Sequence, residues 1–370
     1  MDGTLKSFEA FDVKLPLPRP LRLGGIYITH RSYVVVRSVD TEGNVGTAVG
    51  LTRNAPVAQT VLQSVAPLLE QVGLGDYADA YARVIRANVC LGTNGIFWRA
   101  LSLVDCAVHD LMARRAGVPL YELLGGQRKA TPRLLVGGYP SPEETLESLG
   151  EQIEEMARMT PAGIKIGSCG DFARDTLRLE AARRAMPNGP PLMIDLYWQC
   201  DDSRDLLPHA QDWAHFRMGW IEDPVAFDDF KGSCFLAENL PYPVAIGDEQ
   251  SSQGQFERLM DEGGVRVLRL DATVCGGITA FRSIARAAAE RGIPIACHVF
   301  PELHTHLGAA IDGVRFVETF FPSAGLDSLD LISSSVSSFS NGSLIPSSSP
   351  GSGFEWNEDA LRHYRTEVSK

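Results

Sequence analysis

From residue 132 onward, short apolar segments alternate with helical patterns, and this alternation restricts the fold more than any other feature of the sequence. Eight segments have the length and composition of buried strands: 134–136, 163–166, 192–195, 220–222, 244–247, 267–271, 293–298 and 314–318. Strands that alternate with helices form parallel βαβ units. The pattern therefore predicts an α/β fold, a (β/α)8-type barrel of the modified TIM kind, complete or short of one helix.

The first helix of this barrel is expected to begin near Ser141. Ser141 and Pro142 have the chemistry of an N-cap and of a first helical position. Four apolar residues then share one helical face: Leu146, Leu149, Ile153 and Met156.

The chain before the barrel predicts an α+β domain. Residues 10–50 have the pattern of a strand hairpin or meander, and residues 56–117 that of helices, with one helix ended by Gly117. The stretch 333–353 is rich in Ser, Pro and Gly, so it is either a linker or a return of the chain to this first domain. The apolar residues after it, such as Phe354, favour the return. The predicted division is a capping domain (1–126), a catalytic barrel (127–330) and a C-terminal return that completes the cap (331–370).

Charge and composition exclude several classes of partner. The 370-residue chain carries 34 Lys+Arg against 46 Asp+Glu, a formal net charge of −12. Such a chain lacks the basic surface of a nucleic-acid binder and has no reason to bind an anionic membrane. No apolar stretch is long enough to span a bilayer, and no secretory signal is visible. Seven scattered cysteines without CxxC pairs argue against disulfides and zinc, so a cytoplasmic location is expected.

Ionisable residues follow the predicted strands at the point where each strand ends. They are Lys165, Asp195, Glu222, Asp248, Asp271, His298 and Glu318. A single Asp after a strand is usually a helix cap or a turn residue. Seven such groups at seven strand ends indicate a site, because the carboxyl ends of barrel strands converge on one face.

Three of these groups predict a metal. Asp195, Glu222 and Asp248 end three consecutive strands, and carboxylates so close together repel one another unless a cation neutralises them. Oxygen ligands alone suit Mg²⁺, with Mn²⁺ as a substitute. Lys165 and His298 would flank the metal as bases.

Asp271 stands one strand before His298. It can accept a hydrogen bond from one imidazole nitrogen, which fixes the tautomer and raises the basicity of the other nitrogen.

With these motifs in place, the chain resembles the enolase superfamily and, within it, the mandelate racemase subgroup. The motifs that carry the resemblance are Ser102-Leu-Val-Asp-Cys-Ala-Val-His-Asp-Leu-Met-Ala113, Pro119-Leu-Tyr-Glu-Leu-Leu-Gly-Gly126, Lys165-Ile-Gly167, Ile194-Asp195, Trp220-Ile-Glu-Asp-Pro224, Gly247-Asp248-Glu249, Asp271 with Gly276-Gly-Ile-Thr279, His298 and Glu318.

The resemblance implies a role for each group. Asp195, Glu222 and Asp248 would be ligands of Mg²⁺, Lys165 would match the second lysine of a Lys-x-Lys motif, and His298 with Asp271 would form a base dyad. Glu318 would hydrogen-bond the substrate carboxylate. Loops 21–28 and 52–57 would supply substrate contacts, and the residues expected to touch substrate are Tyr27, Arg53, Asn54, Tyr197 and Glu249. Relatives of this fold also suggest a homo-oligomer.

Three positions depart from the family pattern. The first lysine of Lys-x-Lys is replaced by Gly163, unless a shifted register places Gly167 at the base position. Tyr197 stands where an Asn is frequent. The third ligand is Asp248 instead of Glu, and the neighbouring Glu249 is an alternative ligand.

The resemblance implies abstraction of the proton α to a carboxylate, giving a metal-stabilised enolate. We expect dehydration of a sugar acid to a 2-keto-3-deoxy acid. A racemase or epimerase of a 2-hydroxy acid is the first alternative, and a non-catalytic, metal-dependent sugar-acid binder is the second.

Overall fold

Eight parallel strands form a closed barrel, which confirms the predicted fold class. The computed structural model describes residues 2–23, 26–334 and 338–366. The barrel strands are β4 (Thr131–Val136), β5 (Gly163–Gly167), β6 (Leu192–Asp195), β7 (Met218–Glu222), β8 (Val244–Ile246), β9 (Val267–Leu270), β10 (Ile295–Cys297) and β11 (Val314–Phe320). Each strand pairs with the next, and β11 pairs with β4 to close the barrel.

The barrel interior is filled by a layer of apolar side chains below the strand ends. Seven strands contribute one residue each: Leu134, Met193, Trp220, Ala245, Val267, Ala296 and Phe316. The remaining strand, β5, has Gly163 at this level, since Gly163 is the strand partner of Leu134. The barrel is therefore a packed core whose upper end carries the polar residues.

Helices follow the barrel strands along the chain. They are α5 (Leu146–Arg158), α6 (Phe172–Ala185), α7 (Ser203–Asp212), α8 (Phe230–Asn239), α9 (Gln253–Asp261), α10 (Gly277–Glu290) and α11 (Pro301–Ala310). Short 3-10 helices lie at Trp213–Phe216, Pro322–Ala324 and Leu329–Leu331.

The predicted start of α5 at Ser141 is wrong. The helix begins at Leu146, where Thr145 is the N-cap and exchanges hydrogen bonds with Ser148 in a capping box. Leu146 is 43% exposed, whereas Leu149 and Ile153 are buried, so the apolar face begins one turn later than expected.

An antiparallel sheet of three strands precedes the barrel. It consists of β1 (Leu5–Leu23), β2 (Ile26–Asp40) and β3 (Val45–Leu51), in that order. Four helices follow, α1 (Val57–Thr60), α2 (Tyr77–Ala87), α3 (Ile96–Ala116) and α4 (Leu120–Leu123), with a π-helix at Val61–Val65 and 3-10 helices at Ala66–Leu68, Leu74–Asp76 and Val89–Leu91. The sheet lies directly on α3, because a Cβ at Gly46 would be 2.1 Å from the carbonyl oxygen of Ala107.

The C-terminal segment contacts both parts of the molecule. The hairpin β12 (Ser338–Ser340) and β13 (Ser343–Ile345) adds to β4, Gly351 bridges Pro119, and Arg365 after α12 (Glu358–Tyr364) bridges Val13 of β1. Residues 335–337 and 367–370 of the predicted return lie outside the described residues. The boundaries of the three predicted segments stay predictions.

No helix in the described part of the chain combines the length and the apolar character needed to cross a membrane.

Candidate active site

All seven ionisable residues predicted from the strand ends are buried at the upper end of the barrel. Their exposed fractions are 8% or less. Five of them, Lys165, Asp195, Asp248, His298 and Glu318, line one cavity together with Arg31 and Arg53 of the N-terminal sheet region and with Tyr139, Tyr197, Trp198 and Phe320. Glu222 and Asp271 contact this set from behind.

An acidic cluster occupies one side of the cavity. Carboxylate oxygens of Asp195, Glu222 and Asp223 lie within 4.8 Å of one another. Asp248 lies beside them, with Oδ2 at 3.5 Å from Nε2 of His298. The sequence had indicated Asp248 but not Asp223, because a residue that follows an inward-facing Glu222 should point away from the barrel. The strand ends at Glu222, and Asp223 adopts φ 44°.

Burial makes this cluster unfavourable without a cation. Burial and the neighbouring carboxylates raise the pKa of Asp195 to about 7 and that of Asp248 to about 6. Burial and Asp248 also raise the pKa of Asp223. Oδ1 of Asp223 and Oδ1 of Asp248 are buried without a hydrogen-bond partner. Unpaired oxygens in an acidic cluster fit Mg²⁺, which Asp195, Glu222 and either Asp248 or Asp223 would hold.

Two buried cations balance the cluster from below. Nζ of Lys165 lies 2.5 Å from Glu222, 3.3 Å from Glu318 and 3.4 Å from Asp195. Burial lowers the pKa of Lys165, whereas the carboxylates of Glu222 and Glu318 raise it. The net shift is upward. Lys165 is therefore a cation at neutral pH in this arrangement, which is unfavourable for a base.

Arg269 is the second cation, and sequence reasoning missed it. Its Nε lies 3.1 Å from Glu222, and its guanidinium also contacts Glu318. The available signal was its place two residues before Asp271, which puts both side chains on the inner face of β9.

The strand register supports the alignment in which Gly167, and not Gly163, stands at the position of the lost lysine. Gly163 lies in the apolar layer, where a Cβ would be 2.6 Å from Met193, so this position is below the site. Gly167 is the strand partner of Asp195. The position level with the acidic cluster is therefore Gly167, and Lys165 reaches the cluster from one layer deeper.

Tyr139 occupies the space that a side chain at position 167 would need. A Cβ at Gly167 would lie 2.4 Å from the Tyr139 ring. The Tyr139 hydroxyl donates a hydrogen bond of 3.0 Å to Asp195, and the ring packs edge-on against Tyr197. This side of the cavity thus carries two phenol rings instead of an amine.

His298 and Asp271 form a hydrogen-bonded pair on the opposite side. Nδ1 of His298 lies 2.9 Å from Oδ2 of Asp271, and Nε2 faces Asp248. Thr273 holds the other carboxylate oxygen of Asp271 through two hydrogen bonds. Burial, with the positive charges of Arg269 and Lys165, lowers the pKa of His298 well below its usual value, so the neutral imidazole is favoured.

The expected substrate contacts are only partly brought to the cavity. Arg53 and Tyr197 line it, whereas Tyr27 is 54% exposed and Asn54 is exposed, and neither is part of the described lining. Two residues of the loop 21–28, at positions 24 and 25, lie outside the described residues.

Glu249 is bound by two arginines instead of lying free for a metal. Nη2 of Arg53 lies 2.5 Å from Oε1 of Glu249, and Arg99 contacts Oε2. Burial raises the pKa of Glu249, whereas the two arginines lower it. The net shift is downward. The alternative in which Glu249 replaces Asp248 as a ligand is therefore not supported.

Comparison with known proteins agrees with this geometry. Residues 148–360 match the family model described as enolase C-terminal domain-like, and residues 7–125 match the mandelate racemase/muconate lactonizing enzyme N-terminal domain. The chain belongs to the enolase superfamily. Both of its characteristic domains are present.

Relatives in this superfamily include sugar-acid dehydratases. The chain is 30% identical over 248 residues to an L-talarate/galactarate dehydratase of Salmonella typhimurium, and this match covers 66% of the chain and 61% of that relative. It is 25% identical over 347 residues to an arabinonate dehydratase of Saccharolobus solfataricus, covering 91% of each. A crystal structure of the Salmonella typhimurium LT2 dehydratase with Mg and L-lyxarohydroxamate is 25% identical, covers 99% of this chain and 94% of that one, and has a TM-score of 0.87.

Proposed function

We propose that the protein is a Mg²⁺-dependent dehydratase that converts a sugar acid to a 2-keto-3-deoxy acid. The observation that carries this proposal is the His298–Asp271 pair facing the buried acidic cluster, with Gly167 and Tyr139 where a second base would stand. The similarity of this chain to two sugar-acid dehydratases, one of them crystallised with Mg, supports the same reaction.

Asp195, Glu222 and Asp248 would hold the metal, which when bound supplies positive charge for the oxygens of the substrate carboxylate. Lys165 and Glu318 would orient that carboxylate, because both line the cavity and lie 3.3 Å apart. Charge that develops on the carboxylate as the α proton leaves is then met by groups already in place.

His298 would move the proton. Nε2 of the neutral imidazole takes the α proton, and the electrons of the broken C–H bond form the enolate. Asp271 stabilises the imidazolium through Nδ1. The same imidazolium then gives its proton to the departing β-hydroxyl, the C–O bond breaks, and water leaves. The enol product tautomerises to the 2-keto-3-deoxy acid.

A racemase or epimerase is less well supported by this site. Inversion at the α carbon needs proton exchange on both faces of the enolate, and the side opposite His298 carries Tyr139 over Gly167. Lys165 is engaged with three carboxylates. A non-catalytic binder would not need a histidine whose tautomer is fixed by a buried Asp271.

The test is a screen of mono- and diacid sugars with Mg²⁺, assayed for 2-keto-3-deoxy products. The proposal predicts product from at least one acid, and no product once Mg²⁺ is chelated. Inversion at the α carbon without loss of water would contradict it. A cytoplasmic location and a homo-oligomeric state stay part of the proposal, and the seven cysteines without a disulfide agree with the first of these.

A further inference from the structure

A second cavity adjoins the active site. It has a volume of about 580 Å³ and lies between the N-terminal sheet and the end of β11. Arg31, Glu318 and Phe320 line both this cavity and the reaction site, so the two spaces lie side by side and share a wall. A substrate whose carboxylate lies at Glu318 can therefore extend toward Arg31.

Most of the walls of this second cavity are apolar. Prolines, leucines and phenylalanines supply the larger part of the lining, including Pro16, Leu326 and Phe321. Arg31 is the single cationic side chain among the described residues that line it. A single positive charge among mostly apolar walls and four acidic side chains is the kind of group that orients a ligand.

Arg31 is buried and has no carboxylate in direct contact. It is 8% exposed, and its Nε has no hydrogen-bond partner. Within the described chain it makes no ion pair, in contrast to Arg53 and Arg99, which share Glu249. Its ring contact is Phe320, 5.3 Å from the guanidinium carbon to the ring centroid.

A buried guanidinium with an unpartnered Nε and no ion pair in direct contact is unfavourable, and an arriving anion would relieve it. We propose that Arg31 binds a second carboxylate at the far end of the substrate, so that the enzyme prefers sugar diacids to the corresponding monoacids. This inference rests on the proposed function, because it concerns the substrate class of the same site. A guanidinium suits the purpose, since it can hold a carboxylate through two parallel hydrogen bonds.

Acidic residues in the same cavity set the alternative explanation. Glu302, Glu318, Asp327 and Asp330 line it, and Arg31 could serve only to balance these carboxylates, Asp327 among them, at longer range. Burial raises the pKa of Glu302 to about 7 and also raises the pKa of Asp327. The upward shifts favour the neutral form of these two groups, which reduces their repulsion of a distal carboxylate.

The test compares matched acids by isothermal titration calorimetry on the full chain with saturating Mg²⁺. The probes are galactarate against galactonate and glucarate against gluconate, pairs that differ only in the terminal carboxylate. We expect at least one diacid to bind about tenfold or more tightly than its monoacid. Arg31→Met should weaken that diacid about 10- to 100-fold and the monoacid less than about threefold, as expected for charge-assisted hydrogen bonds.

Three variants serve as controls. Arg37→Met removes an arginine of the same strand, β2, and should leave both affinities unchanged, because Arg37 pairs with Glu9 and Glu358. Arg31→Lys keeps the charge and should retain part of the preference, which also guards against a misfolded Arg31→Met. Asp327→Asn should leave the preference in place, whereas its loss in this variant would indicate that Arg31 acts only through Asp327.

The proposal is overturned if neither diacid binds better than its monoacid, or if Arg31→Met weakens both members of a pair equally. Product formation is scored separately. Diacid preference without a 2-keto-3-deoxy product would contradict the proposed reaction and leave the role of Arg31 standing. Product from monoacids without diacid preference would support the proposed reaction and contradict the role of Arg31.

Discussion

Gly167 is the strand partner of Asp195, and the space above it is filled by Tyr139. This relationship decides which side of the cavity can exchange a proton with substrate. The Asp195 side offers a phenol that already donates to a carboxylate, and the far side offers the His298 imidazole. We therefore assign a single base to the site, His298.

Binding of Mg²⁺ should depend on pH in the neutral range. The pKa of Asp195 is raised to about 7 and that of Asp248 to about 6, so protons must leave these groups before a cation can bind. Mg²⁺ affinity should then rise about tenfold or more between pH 5.5 and pH 8, with proton release visible in calorimetry across buffers. An affinity that stays flat over this range would contradict the assignment.

The Mg²⁺ affinities of ligand variants show whether Asp248 or Asp223 is the third ligand. Asp195→Asn and Glu222→Gln should each lower Mg²⁺ affinity more than about 100-fold, beyond the loss usual for supporting groups. Asp248→Asn should have the same effect and Asp223→Asn a smaller one. The opposite order for the last two variants would make Asp223 the third ligand.

Loss of the Tyr139 hydroxyl should weaken the metal site without unfolding the barrel. Tyr139→Phe removes a 3.0 Å hydrogen bond to Asp195, and groups that orient a metal ligand typically change metal affinity about 10- to 100-fold. Calorimetry with Mg²⁺ measures this. Tyr242→Phe is the matched control, because that hydroxyl donates to Ala210 away from the site and its loss should affect stability alone.

Glu249 should matter for stability and not for the metal. Glu249→Gln leaves Arg99 without its carboxylate and should lower the free energy of unfolding by about 2–3 kcal/mol, slightly less than for a fully buried pair. Arg53 is partly exposed, which moderates the loss. Denaturant unfolding gives the value, and Glu262→Gln, on an exposed pair with Arg258, should change nothing measurable. A large loss of Mg²⁺ affinity in Glu249→Gln would instead return this residue to the ligand set.

With Mg²⁺ kept saturating at every pH, the acidic limb of the pH–rate profile should lie below pH 6.5. Burial and the nearby charges of Arg269 and Lys165 lower the pKa of His298, so the imidazole stays neutral as the pH falls toward that value. A base loses activity only as it becomes protonated, which here happens at lower pH than for an exposed histidine. A limb in kcat/KM with its midpoint above pH 7 would point to another group.

Much of the fold and the site could be predicted because the signals are local. Each barrel strand is a short apolar run, and each ionisable residue follows its run directly, so topology alone brings Asp195, Glu222 and His298 together. The strand register was harder to predict. Either Gly163 or Gly167 replaces a lysine, and the choice depends on which layer of the barrel each residue faces. That depends on cross-strand pairing, which one strand does not reveal.

The residues that were missed have a common physical reason. Asp223 turns inward through a positive φ beyond the end of its strand, and Arg269 is charged yet buried because Glu222 and Glu318 of other strands pair with it. Arg31 sits in the middle of a long strand, and nothing in its sequence neighbours indicates a buried guanidinium whose Nε has no hydrogen-bond partner. Such features arise from contacts distant in sequence.

The most direct measurement of the central claim is proton NMR in D2O, with Mg²⁺ and an acid found by the screen. The wild type should form a 2-keto-3-deoxy product. His298→Asn should lose both the product and deuterium exchange at the α carbon, whereas Lys165→Met should still exchange that proton, at a reduced rate, because His298 remains. Exchange that persists in His298→Asn and disappears in Lys165→Met would make Lys165 the base and contradict the account.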